Sequence, residues 1–412
     1  MVKAALLFGA LCTCASISNA FVPTAFPGTM AALPTSTNSQ RASISRPAAA
    51  TRNPVMTFRS IIDRTVGNRA AHTSLFSSPT ASNEAVPVSA ETPPADDGTA
   101  TPEKKQPGTL KVAGYFGLWY LFNIGYNIYN KRLLNVYPLP WLMASAQLGI
   151  GLLYVFPLWL TKLRKAPKLA KGSLGPLSQL AALHTVAHAT AVLSLGAGAV
   201  SFTHIVKAGE PVFTAGFSAV ILGQTFALPV YLSLLPIIAG VSLASLKELS
   251  FSWVAFGNAM GSNTASALRG IMGKKQMGKP VGENMTPANL YATLTVLAFC
   301  MLSPVALLVE GAKIKPAWDA AIAAGATVKG LTSTILLSGF FYYLYNEVAF
   351  LALDSVNPVT HAVGNTIKRV VIIVAACIAF RTPMTPLAIV GSSLAVGGTL
   401  VYSLVKAKYE KK

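Results

Sequence analysis

The chain has 412 residues, 52% of them hydrophobic and 11% charged, under half the charged fraction of about 25% found in soluble domains. Together with a mean hydropathy of +0.52, this excludes an ordinary soluble enzyme. Thirty-three Lys and Arg against fourteen Asp and Glu give a net charge of +19, which in so apolar a chain points to a lipid bilayer and not to nucleic acid.

Residues 1–20 carry one basic residue, Lys3, then an apolar run and the small-residue pattern Ser18-Asn19-Ala20, the form of a signal peptide. Residues 21–78 are rich in Ser, Thr, Ala and Pro, with Arg41, Arg46, Arg52, Arg59, Arg64 and Arg69 against the single acid Asp63. That composition predicts an organelle transit peptide. With Phe21 at the junction, the pair resembles the two-part leader of plastids of secondary red-algal origin. Residues 79–108, with Glu84, Glu91, Asp96 and Asp97, read as a disordered linker. The membrane domain is expected over residues 109–412.

From Lys111 on, ten apolar segments of bilayer-crossing length follow one another. They centre near Phe122, Leu148, Val186, Val212, Pro236, Met260, Leu297, Phe340, Val370 and Val396. The expected fold class is an all-α membrane protein. Short breaks between the segments leave no room for a soluble catalytic domain. An even number of spans places both ends on one side, and the flanking Lys and Arg number fourteen on that side against seven on the other. The termini are therefore expected to face the interior compartment, which in a plastid is the stroma.

Five spans precede about Ser250 and five follow, so each half has odd parity and the halves lie inverted, as in many secondary transporters. Thr203-His204 in span four and Thr360-His361 in span nine stand 157 residues apart, and the same offset carries His188 in span three onto Tyr345 in span eight. Repeat-built transporters place substrate between such halves near the midplane.

Lys207 in span four and Lys368 and Arg369 in span nine lie where an ionised side chain costs at least about 2.5 kcal/mol. Glu210, three residues after Lys207, can meet it on one helix face, and Glu347 in span eight offers a second acid. Two acids leave the cations in excess. A bland arrangement pairs Lys207 with Glu210 and lets the others snorkel; an anion site suits their depth better, with Arg supplying a bidentate fork and Lys point charge toward phosphate. His188 and Tyr345 can hydrogen-bond the far end of a small phosphorylated ligand, though a membrane histidine serves packing as often.

Arg269 and Lys274 at the end of span six and Lys131 at the end of span one are possible gate or entry residues, with topology and lipid head groups explaining them equally well. Gly114, Gly117, Gly391, Ala395, Gly397 and Gly398 are expected to permit close helix approach. Trp119, Tyr120, Tyr137 and Trp141 read as interface anchors without chemistry. Cys12, Cys14, Cys300 and Cys377 show neither a disulfide framework nor a metal spacing, so no metal and no cofactor are expected. A membrane enzyme using His188 or His361 as base has only Glu210, Glu347 and Asp354 to support it, and an enzyme is not the expectation.

The stretches Trp119-Tyr120 through Tyr126-Asn127-Ile128-Tyr129-Asn130-Lys131-Arg132, Val200 through Pro211, and Tyr345-Asn346 followed by Pro358 through Val370 resemble the plastid phosphate translocators of the drug/metabolite transporter superfamily. The resemblance covers about residues 111–406. It implies ten transmembrane helices in an inverted five-plus-five repeat and an antiporter in a plastid envelope membrane that exchanges inorganic phosphate for a small phosphorylated metabolite. Lys207, Lys368 and Arg369 would bind the phosphate, and His188 and Tyr345 the carbon end. Keeping both of the latter is similar to the branch that carries triose phosphate or 3-phosphoglycerate. Phosphoenolpyruvate, hexose or pentose phosphates, or a nucleotide sugar carried by a relative in the superfamily, stay open. Ala191 stands where the family usually has Thr, and Glu347 where it usually has Gln.

Overall fold

The computed structural model describes residues 108–246, 251–276, 281–356, 358–382 and 384–410; the leader and linker expected over residues 1–108 lie outside them except for Gly108. Each apolar segment falls on one helix or a helix pair. In chain order these are α1 (Thr109–Val136), α2 (Pro140–Leu160), α3 (Leu174–Ala197), α4 (Val200–Lys207), α5 (Glu210–Leu222), α6 (Leu228–Leu232), α7 (Leu235–Leu246), α8 (Trp253–Gln276), α9 (Pro287–Glu310), α10 (Ile314–Ala323), α11 (Val328–Ser355), α12 (Pro358–Phe380) and α13 (Pro386–Glu410).

Local signals set several ends. Proline occupies the first turn of α2, α5 and α9, where its missing N–H costs nothing. The Thr286 and Thr327 hydroxyls cap α9 and α11 by accepting from Asn289 N and Gly330 N. Gly223, left-handed at φ 64°, ends α5 as glycine can without strain.

Among the described residues, eight helices or helix pairs are long and apolar enough to cross a membrane: α2, α3, α4 with α5, α6 with α7, α9 running into α10, α11, α12 and α13. The protein is a mostly helical, multi-pass membrane protein. Helices α1 and α8, with 28 and 24 residues, have crossing length but not that apolarity. The reason is visible in their buried polar side chains: Asn123, Asn127 and Asn130 on α1, and Ser262 and Asn263 on α8.

The most extensive packing joins α1 to α11, α3 to α8 and α7 to α13. Between α7 and α13 the backbones nearly touch: a Cβ on Gly240 or on Gly391 would run into the main chain of the facing helix, so only glycine fits. Ala395 is fully buried there and Gly398 lies against Ile237, as expected, but Gly114, Gly117 and Gly397 face open space and bring no helix close.

One detail departs from an all-α reading. The break after α2 contributes β1 (Lys168–Leu169), which pairs antiparallel with β2 (Gly282–Glu283) in the break after α8, Lys168 opposite Glu283 and Leu169 opposite Gly282. Two extended loops meeting at one end of the bundle satisfy their backbone groups on each other. The break between Glu310 and Gly330 holds a 3₁₀ turn and α10, whose Trp318 packs edge-on against Tyr137.

Candidate substrate site

Span four, expected to be continuous, breaks at Ala208-Gly209 between α4 and α5. Pro211 causes the break, because it cannot donate to the carbonyl four residues earlier. Neighbouring helices bond to carbonyls near the break: Asn263 Nδ2 donates at 2.9 Å to Val206 O, which also accepts from Gly209 N, and Thr399 Oγ1 donates to Ala208 O at 3.3 Å. Non-helical backbone at membrane depth survives only with such partners. The break places Lys207 at the end of one half-helix and Glu210 at the start of the next.

That geometry redirects the charges. Glu210, which its spacing would allow to meet Lys207, accepts instead from Arg369 Nη2 at 3.3 Å. The Lys207 ammonium donates to Ser262 Oγ at 2.5 Å, and the Ser262 hydroxyl in turn donates to Ala187 O at 2.8 Å. Helix α12 packs on α4, so Lys207, Lys368 and Arg369 come together, each within electrostatic reach of the other two. Arg369 is buried, and its Nε has no protein partner among the described residues. Lys368 Nζ sits 4.5 Å from the centroid of the Trp119 ring.

Glu347 is not the second acid of this cluster. It takes a two-pronged bond from Arg164 in the loop after α2, at 3.0 and 2.5 Å. Burial opposes the Arg164 charge, and the Glu347 carboxylate more than restores it, so the guanidinium stays above its ordinary pKa. Arg164 is thereby a buried partner and not a free surface charge.

His188 is buried, with Nε2 3.1 Å from Ala144 O and its ring 4.0 Å from that of Tyr342. Tyr345 is half-buried against the rings of Tyr126 and Tyr342. Arg269, a possible gate or entry residue, is half-buried on α8. Its Nη1 lies 2.7 Å from His184 Nδ1, and the other His184 nitrogen is 3.4 Å from Tyr342 Oη. Ser262 and Arg269 are seven residues apart on one face of α8, about 10 Å along its axis, and the Arg269 charge reaches Lys207. The cations under Lys207 and the ring cluster under Arg269 thus form one strip along α8.

The sequence reading missed the place of Arg269 in this strip; its seven-residue spacing from Ser262 was the available signal. Lys131 donates to Leu195 O and Gly198 O, both at 2.9 Å, closing the end of α3. The Lys274 side chain lies outside the described residues. His204 is tied to Asn127 Oδ1 at 2.9 Å. Among the described residues no three His, Cys, Asp or Glu side chains are grouped to hold a metal. A separate groove of about 660 Å³ among α5, α7 and α8 is apolar apart from Ser242 and Ser245, which suits hydrocarbon and not a charged solute.

Residues 110–403 match the Triose-phosphate Transporter family. The chain belongs to this family. It is a transporter, not an enzyme. Among its relatives, the xylulose 5-phosphate/phosphate translocator of Arabidopsis thaliana is 42% identical over 317 residues, 77% of this chain and 75% of that one. Phosphoenolpyruvate/phosphate translocator 2 of the same plant is 42% identical over 299 residues, 72% and 77% of the two chains. The triose phosphate/phosphate translocator of Spinacia oleracea is 38% identical over 304 residues, 74% of each. All three are described as chloroplastic.

Proposed function

We propose that this transporter crosses a plastid envelope membrane ten times and exchanges inorganic phosphate for triose phosphate or 3-phosphoglycerate. The observation that carries the reading is the cluster of Lys207, Lys368 and Arg369 beside a broken helix, with Glu210 already engaged by Arg369. Such an excess of buried positive charge is costly unless an anion neutralises it. Arg369 brings a fork and the two lysines bring point charges, the donor set that a phosphate group uses. His188, Tyr345 and Arg269 line the way from the phosphate end. A guanidinium there suits the carboxylate of a three-carbon acid.

Packing supports the inverted repeat. When each span is exchanged for the one five places on, the contact of α1 with α11 becomes that of α8 with α3. Likewise α11 with α2 becomes α3 with α9, and α1 with α12 becomes α8 with α4 and α5. Relatives named for four different phosphorylated solutes support phosphate exchange in general; retention of both His188 and Tyr345 favours the three-carbon cargo.

Exchange follows from charge. Closing the empty site would bury uncompensated cations, and a bound anion removes that penalty, so the occluded form is reached with cargo aboard. Reconstituted vesicles loaded with phosphate should take up labelled phosphate, with triose phosphate and 3-phosphoglycerate competing more strongly than phosphoenolpyruvate, glucose 6-phosphate or a nucleotide sugar. Stronger competition by one of the other solutes would reassign the cargo. Vigorous uptake into vesicles without an internal counter-anion would refute obligatory exchange.

A further inference from the structure

Trp119 is expected at a membrane interface, yet it is 2% exposed and lies inside the bundle. Two contacts fix α1 against α12 around it. The Tyr120 hydroxyl donates to Gly364 O at 2.7 Å, and the Phe116 ring fills the space over Gly364 that a Cβ would need. On α12, His361 precedes Gly364 by three residues and Lys368 follows it by four, so all three share one stripe. Trp119 meets both ends of that stripe. The His361 ring stacks on the indole at 5.1 Å and 18°, and Lys368 Nζ stands 4.5 Å from the indole centroid.

We propose that Trp119 is a positioning residue of the phosphate site, its ring face holding the Lys368 ammonium in place for the anion. The proposal rests on the reading of Lys368 as a phosphate ligand. Lys368 is crowded by the charges of Arg369 and Lys207, and Glu210 is bonded to Arg369. The face of an indole is the strongest of the aromatic faces for a cation within about 6 Å, and unlike a second carboxylate it does not repel incoming phosphate. An ammonium carries three donors pointing apart. The ring takes one side, and donors on the other side remain for phosphate oxygens. The stacked His361 ring restrains the indole from turning.

The test is a series of indoles of nearly constant size and falling face charge. Tryptophan, fluoro-, difluoro- and trifluorotryptophan are placed at position 119 alone by nonsense suppression, and phosphate counter-exchange is measured in vesicles. The half-saturation concentration for phosphate should climb stepwise through the series. Trp119→Phe should fall partway, and Trp119→Leu should raise it about tenfold. Thermal unfolding midpoints of the fluorinated proteins should stay level. A half-saturation concentration that does not change along the series would overturn the proposal, even if Trp119→Leu fails to insert, because the ring would then only fill space. Lys368→Gln separates this from the site itself. Normal affinity in Lys368→Gln removes Lys368 from the site and the proposal with it. Lost affinity there with a flat indole series removes only the role of Trp119.

Discussion

Glu210 sets how much positive charge the empty site carries. Its carboxylate is bonded to Arg369, and the charges of Lys207 and Lys368 also reach it. Glu210→Gln should therefore lower the half-saturation concentration for phosphate several-fold while slowing turnover, because the anion is held more tightly and released less readily; counter-exchange kinetics check both. Ala191 offers a second probe. It lies one turn beyond His188 on α3, and Thr190 cannot replace the missing hydroxyl because it donates to Val186 O at 2.6 Å. Ala191→Thr should improve phosphate half-saturation by roughly 2- to 10-fold, the value of one net hydrogen bond, read from the same assay. Lys207, Lys368 and Arg369 were legible in the sequence because a charge in an apolar run has few innocent uses. Their partners were not. The three-residue spacing of Lys207 and Glu210 implies a pair only on an unbroken helix, and the break between them turns the carboxylate toward α12.

Helix interiors and loop contacts carry the next expectations. Gly240 faces the α13 backbone with no room for a methyl group, so Gly240→Ala should cost about 1–3 kcal/mol and lower the unfolding midpoint of the purified protein. The Arg164–Glu347 pair, with both side chains under a tenth exposed, pins the loop after α2 to α11 two residues from Tyr345. Glu347→Ala should cost about 3–5 kcal/mol by leaving the guanidinium buried alone. Glu347→Gln, which keeps an acceptor, should cost less in the same unfolding measurement. Eight of the spans among the described residues, and several helix ends, could be read from apolar length, proline and glycine. The break in span four had a signal in Pro211, but proline alone does not say whether a helix kinks or separates. Here the separation is held open by Asn263 and Thr399, which come from helices distant in the chain.

The whole transporter offers a test of orientation. A tag fused after Lys412 should be digested by protease from the stromal side of intact envelope vesicles and protected from the other, as the excess of basic residues near the termini predicts. Apolar length, charge in the wrong place, and recurrent Thr-His pairs were enough to point to a membrane transporter and to raise the anion site proposed above, because each is a local cost or a local pattern that needs no knowledge of neighbours. Which groups meet was decided by folding. Arg269 joins His184, Glu347 joins Arg164, and Trp119 leaves the interface to face Lys368, all across more than eighty residues of chain. Hydropathy reports what a side chain costs in lipid, whereas a partner that removes the cost is specified only when helices pack.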